Sequence, residues 1–136
     1  MVKRFSPEGT IYFLQLWGCE KKEFLVRESL LKELCLKADS LGFFNIMRAD
    51  SQPALMSHRF NPGISVTALI GESSISLHTW PEFEYVDILL HTCSPIDLVA
   101  LESFFLQELR PETYHGRVLT KVKDALKVRN VFKKPL

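Results

Sequence analysis

Neither sign of charge dominates this chain. Seventeen lysines and arginines stand against sixteen aspartates and glutamates, a formal net charge of +1 over 136 residues. That balance gives no electrostatic basis for binding nucleic acid or an anionic membrane. A long hydrophobic run is missing as well. The N-terminus is charged and polar before a short apolar stretch, which resembles neither a signal peptide nor a membrane span. Cysteine is scarce: Cys19, Cys35 and Cys93 cannot all pair within one chain and lack metal-ligand spacing, so a reduced, cytoplasmic setting is expected. His58, His78, His91 and His115 form no ligand cluster, and no metal is expected. With no repeat, low-complexity tract or linker-like segment, residues 1–136 read as a single domain.

What is present is globular patterning. Thr10 to Trp17 is short, apolar and aromatic and ends at Gly18, which predicts a buried strand. From Glu23 to Leu41, Phe24, Leu31, Leu34, Cys35, Ala38 and Leu41 fall at helical spacing, with Gly42 as a stop. Phe43 to Met47 reads as a second strand, and residues 49–62, with Pro53 and Pro62, as a loop. Strands are expected at Ile64–Ile70, Ile75–Thr79 and about Glu84–Thr92. Ser94-Pro95-Ile96-Asp97 has the form of a capping box with proline at the first helical position, opening a helix through Leu109. Pro111 and Gly116 punctuate, Arg117 to Val122 reads as a last strand, and Lys127 to Leu136 as a solvated end. The pattern predicts an α/β fold, a two-layer sandwich with a largely antiparallel sheet and two main helices on one face. The other face is left free for a partner.

The chemistry-bearing segment runs from Gly71 to Glu82. It crowds Ser73, Ser74, Ser76, His78 and two acids between strand-like runs, with Cys93 at the end of the next strand. A serine or cysteine nucleophile needs a nearby base, so these residue types permit a nucleophilic site. On composition alone a polar turn, its histidine satisfied by backbone groups, is the commoner outcome.

The detailed order of residues narrows this. Glu72-Ser73, then Ile75-Ser76-Leu77-His78-Thr79-Trp80-Pro81-Glu82, then Thr92-Cys93, resembles S-adenosylmethionine decarboxylase in its short prokaryotic form. Gly18-Cys19, His58 to Phe60 and Pro62-Gly63 match further landmarks, and the resemblance covers about Thr10 to Leu109. Each piece alone is weak; together they are specific. The resemblance implies a self-cleaving proenzyme. Ser73 would attack the Glu72 carbonyl, exchanging peptide for ester, and elimination would cut the backbone between Glu72 and Ser73. The new chain would begin with a pyruvoyl group derived from Ser73, the cofactor. That group forms a Schiff base with the substrate amine and accepts electrons as carbon dioxide leaves.

On the same resemblance, His78 removes the α-proton of residue 73, a task suited to imidazole, and Ser65 stabilises the cleavage intermediate. Cys93 returns a proton to the substrate after decarboxylation. Glu82 accepts the ribose hydroxyls, Phe60 aligns with an adenine-stacking phenylalanine, and Trp80 completes the substrate-binding set. The implied product is the aminopropyl donor of polyamine synthesis, and the implied assembly is a homodimer with active sites near the subunit boundary.

Several residues depart from the family pattern. Ser74 replaces a histidine, Asn61-Pro62-Gly63 is one residue short, Val66 replaces a glycine beside Ser65, Glu84 replaces a glycine, and Ser94 follows Cys93. These fall around the substrate. Relatives of this family decarboxylate ornithine or arginine with the same pyruvoyl chemistry, so a basic amino acid is the alternative substrate. Glu84, beside the turn, is the better placed acid for a cation. Asp87 lies six residues from Cys93, about 20 Å along a regular strand. A homologue that never cleaves and serves a regulatory role is the remaining alternative.

Overall fold

The computed structural model describes residues 9–41, 56–57, 63–70, 73–93, 96–122 and 125–133, with only the backbone described at 56–57, 70, 121–122 and 125–133. The expected strand at Phe43–Met47, most of the 49–62 loop, and Phe60 and Glu72 lie outside the described residues.

Along the chain run β1 (Thr10–Trp17), α1 (Glu23–Val26), α2 (Glu28–Ser40), β2 (Met56–Ser57), β3 (Ile64–Ile70) and β4 (Ser73–Trp80). A 3-10 turn at Pro81–Phe83 leads to β5 (Tyr85–Thr92), α3 (Leu98–Leu109), β6 (Thr113–Val122) and β7 (Ala125–Lys133). The strands form one sheet in the order β2-β3-β4-β5-β1-β6-β7. Every pairing is antiparallel. The expected α/β sandwich is therefore present, with more strands than the sequence pattern indicated.

Strand alternation places the core. Val66, Leu77, Ile88 and Leu14 lie side by side on four neighbouring strands, as do Ala68, Ile75, Leu90 and Tyr12, and all eight are buried. These rows meet Leu31, Leu34 and Ala38 of α2 and Leu101, Phe105 and Leu109 of α3 in one hydrophobic cluster. α1 packs on β4 and α2 on β3, with α2 against α3.

Four sequence expectations are corrected. The single helix from Glu23 to Leu41 is two helices, broken where Arg27 adopts an extended backbone (φ −116°, ψ 109°). The fully buried Thr79 donates its hydroxyl to the Leu25 carbonyl at 2.7 Å, which satisfies the helix end there. The expected helix opening at Ser94-Pro95 lies outside the described residues, and α3 starts later, at Leu98, with Asp97 as its cap, accepting from the Ala100 amide at 3.0 Å. β6 begins at Thr113 and runs through Gly116. A Cβ at Gly116 would stand 2.9 Å from the Tyr12 hydroxyl and 3.1 Å from a Glu102 carboxylate oxygen, so glycine here admits the Tyr12–Glu102 hydrogen bond. Finally, the chain beyond Lys127 is no solvated end as far as Lys133: β7 pairs with β6 from Ala125 to Lys133.

Thr79 also accepts the Ile64 amide at 2.8 Å, tying β3, β4 and α1 together at one buried hydroxyl. Thr79→Val keeps the shape and leaves both backbone groups unpaired at about 1–3 kcal/mol each. The expected loss is roughly 2–6 kcal/mol, read from the urea unfolding midpoint; an unchanged midpoint would remove Thr79 from this role.

Candidate active site

The face of the sheet away from the helices carries the polar residues that the sequence singled out. In register, Ser65 on β3 lies opposite His78 on β4, and His78 lies opposite Asp87 on β5. Ser65 Oγ and His78 Nδ1 are 2.8 Å apart, a hydrogen bond that fixes the ring. Ser65 and His78, given separate roles by the resemblance, are thus in direct contact.

Next to this row lie aromatic rings. Trp80 and Tyr85 have centroids 5.4 Å apart, Tyr85 and Trp17 5.3 Å, and His78 and Trp80 6.2 Å. Such tilted stacks are favourable arrangements. Trp80 therefore borders the His78 row, while Glu82 sits exposed on the 3-10 turn.

Ser73 occupies a different place. It is the first residue of β4 and shares the side of Ile75, Leu77 and Thr79, facing the helices. Its hydroxyl donates to Thr92 Oγ1 at 3.3 Å and accepts from the Cys93 amide at 3.3 Å. Ser73 is thus a neighbour of the Cys93 backbone. Ser73 and His78 are not neighbours. Five residues of strand separate them, about 17 Å at 3.3 Å per residue, and an odd spacing puts them on opposite faces.

The departures from the family pattern also acquire positions. Val66 is fully buried among Leu77 and Ile88, so its bulk enters the core rather than crowding Ser65. Glu84 has left-handed backbone (φ 50°), a conformation that favours glycine. Its carboxylate pairs with Lys22 at 3.1 Å, so the acid preferred from the sequence as a cation receptor already has a cation. Asp87, set aside by its distance along the strand from Cys93, is the acid beside His78. Distance along one strand hid an adjacency across two; the alternation of β4 and β5 was the available signal.

Burial separates the thiols. It pushes Cys19 up to about 12 and Cys35 up to about 11, with nearby Glu84 and Asp39 adding to the respective effects. Cys93 is the partly exposed one. At pH 8, iodoacetamide is expected to label Cys93 in the folded chain and to reach Cys19 and Cys35 only in denaturant, as located by peptide mass mapping. Native labelling of Cys19 at a comparable rate would contradict this order.

The model of the S-adenosylmethionine decarboxylase family matches residues 10–122. The S-adenosylmethionine decarboxylase proenzyme of Archaeoglobus fulgidus is 30% identical over 117 residues, 82% of this chain and 95% of that one. The proenzyme of the same name from Methanococcus vannielii is 34% identical over 86 residues, and there the match spans 62% of this chain and 65% of the relative. An arginine decarboxylase proenzyme from Caldivirga maquilingensis is 31% identical over 110 residues, 78% of each chain. Among solved structures, the adenosylmethionine decarboxylase of Aquifex aeolicus superposes with a TM-score of 0.65 at 20% identity, over 87% of this chain and 95% of that one, and shares its fold. With Ser65 bonded to His78 and Ser73 beside Cys93 on that fold, the chain belongs to the S-adenosylmethionine decarboxylase family of carboxy-lyases.

Proposed function

We propose that this chain cleaves itself between Glu72 and Ser73, keeps a pyruvoyl group at position 73, and works as a homodimer that decarboxylates S-adenosylmethionine. The observation that carries the reading is the position of Ser73: its hydroxyl starts β4 against the Cys93 amide. The Cys93 amide orients this hydroxyl, and the hydroxyl's own proton is directed to Thr92 Oγ1. The donors at this point fit a small ketone amide in place of the serine, because the Cys93 amide and Thr92 hydroxyl both face it. When formed, the pyruvoyl group supplies an electrophilic carbonyl that acts as an electron sink. The chain's own residues orient and move protons: Cys93 lies next to residue 73 as the proton donor to substrate, and Ser65 holds the imidazole of His78. Trp80, beside His78, together with Glu82 and Phe60 makes up the proposed substrate-binding set.

Homodimerisation is supported by what one protomer keeps apart. A base on the opposite face about 17 Å away does not reach the α-proton of residue 73. A second copy supplies a His78 without that restriction. The sheet face away from the helices also exposes large apolar side chains for such a contact, including Trp17 at 39%, Leu89 at 40% and Leu69 at 62%.

Arginine is the second reading for substrate, favoured by the relative named arginine decarboxylase proenzyme. Both readings keep the same cleavage and the same small-molecule class.

Intact-mass measurement of the purified protein is expected to show two fragments, 1–72 and 73–136, whereas Ser73→Ala stays one chain; cleavage of that variant would move the scissile bond elsewhere. Labelled carbon dioxide is expected from S-adenosylmethionine, and release from arginine or ornithine alone would replace the substrate. For the dimer, a tagged His78→Ala chain is expected to remain intact by itself and to be cleaved when co-expressed with Ser73→Ala, whose His78 is unaltered. Persistent intactness in the mixed dimer rules against a base supplied by the partner.

A further inference from the structure

Asp87 has no role in the reading so far, yet the sheet places it directly across from His78. Three neighbouring strands present Ser65, His78 and Asp87 as one row. Directly opposed residues bring their Cβ atoms to about 4.5–5.5 Å, a range at which a carboxylate and an imidazole interact strongly when partly buried. Among the described residues the ion pairs are Lys22–Glu84 and Lys37–Glu108, so neither lysine nor arginine neutralises Asp87.

The carboxylate is nevertheless held. Burial pushes its proton affinity up from the ordinary carboxylate value, while His78 and the Tyr85 hydroxyl act to lower it. Tyr85 donates to Asp87 Oδ2 at 3.4 Å, and Gln15 Nε2 donates to the Tyr85 hydroxyl at 3.0 Å. Gln15 is itself the next residue of the row, on β1, followed by His115 on β6. The acid is thus supported from β1 and β5 and its free electrostatic partner is the ring on β4.

We propose that Asp87 is the positioning residue of His78: its carboxylate orients the imidazole and balances the charge that the ring acquires when it takes the α-proton of residue 73 in a second copy of the chain. The proposal rests on the self-cleavage reading above. In that step the Cα–H bond of the esterified residue 73 breaks and its electrons form a Cα=Cβ double bond. The Cβ–O ester bond breaks in turn, its electron pair leaves on the Glu72 carboxylate, and His78 carries the proton. A ring that goes from neutral to cationic during the step is stabilised by a fixed negative neighbour, whereas Ser65 offers only a hydrogen bond. Among the described residues, the titratable groups facing the ring from the adjoining strands are Asp87 and Tyr85 of β5; β3 contributes the Ser65 hydroxyl, and Trp80 of β4 is its aromatic neighbour.

The test follows cleavage of wild type, Asp87→Asn and Asp87→Glu from pH 5 to 9 by intact mass, with circular dichroism to verify folding. Asp87→Asn is expected to slow cleavage about tenfold or more, within the roughly 10²–10⁴-fold that a placed general base supplies. The acid-side fall of its profile is expected at lower pH, because removing a negative neighbour favours the neutral ring. Asp87→Glu is expected to restore the position of the profile. A slower reaction with an unmoved profile overturns the proposal in favour of simple packing. Unchanged cleavage with a raised KM for the substrate overturns it too, and assigns the acid to the substrate's cation. Wild type that never cleaves defeats the self-cleavage reading and this proposal together, a result distinct from both. Independently of any change at 87, the carboxyl carbon signal of Asp87 in uncleavable Ser73→Ala is expected to step at the pH where the His78 ring titrates; absence of that step overturns the pairing.

Discussion

The antiparallel register of the five strands β3-β4-β5-β1-β6 is the constraint on which everything else depends. Side chains alternate between faces with a period of two, so a one-residue slip in any strand would exchange core for surface along its length. The buried rows leave little freedom for such a slip. Val66, Leu77, Ile88 and Leu14 must stay together under the helices, and their alternates Ser65, His78, Asp87 and Gln15 then fall together on the other side. The polar row is a consequence of burying the apolar one. Four residues far apart in sequence become adjacent without any loop having to place them.

The same alternation explains what the sequence could and could not reveal. The strands from Thr10, Ile64 and Tyr85, and the helix ending at Leu109, were legible because their periodicity is local. The break at Arg27 was not, since it depends on Thr79, more than fifty residues away, taking the Leu25 carbonyl. Gly116 reads locally as punctuation, but its cause is the distant Tyr12–Glu102 pair that occupies the space of a side chain. β7 did carry a local signal: Leu126, Val128 and Phe132 alternate with Lys127, Arg129 and Lys133. The basic residues between them gave it the look of a solvated end. Within the site, the motif singled out Ser65, His78, Ser73 and Cys93, and the fold makes neighbours of Ser65 and His78 and of Ser73 and Cys93. That these are two clusters rather than one depends on pairing, which periodicity does not encode.

Under the proposed function, the two clusters on opposite faces also divide the chemical tasks. At the start of β4, Ser73 has donors suited to holding a carbonyl or a hydroxyl, and the Cys93 thiol stays accessible while Cys19 and Cys35 are locked in the core as neutral thiols. Across the sheet, the His78 row concentrates the groups that manage a proton and a charge. On the proposed reading, a reactive serine is kept away from its base in the isolated protomer, and its chemistry is conditional on assembly.

The departures from the family pattern are best weighed by which face they reach. Val66 adds bulk to the core layer, where Leu77 and Ile88 surround it, so it changes packing and not the space beside Ser65. Glu84 gives up the glycine that its left-handed backbone favours, but its carboxylate is spent on Lys22 at the protein's edge. Ser74, by contrast, lies on the same face as His78, opposite Leu69 and His91, and replaces an aromatic, titratable ring with a small hydroxyl. Of these three changes only Ser74 alters the chemistry of the open face. Under the proposed function, the contrast between S-adenosylmethionine and a basic amino acid is therefore to be sought first at this end of β4, in the room and charge left by the missing imidazole.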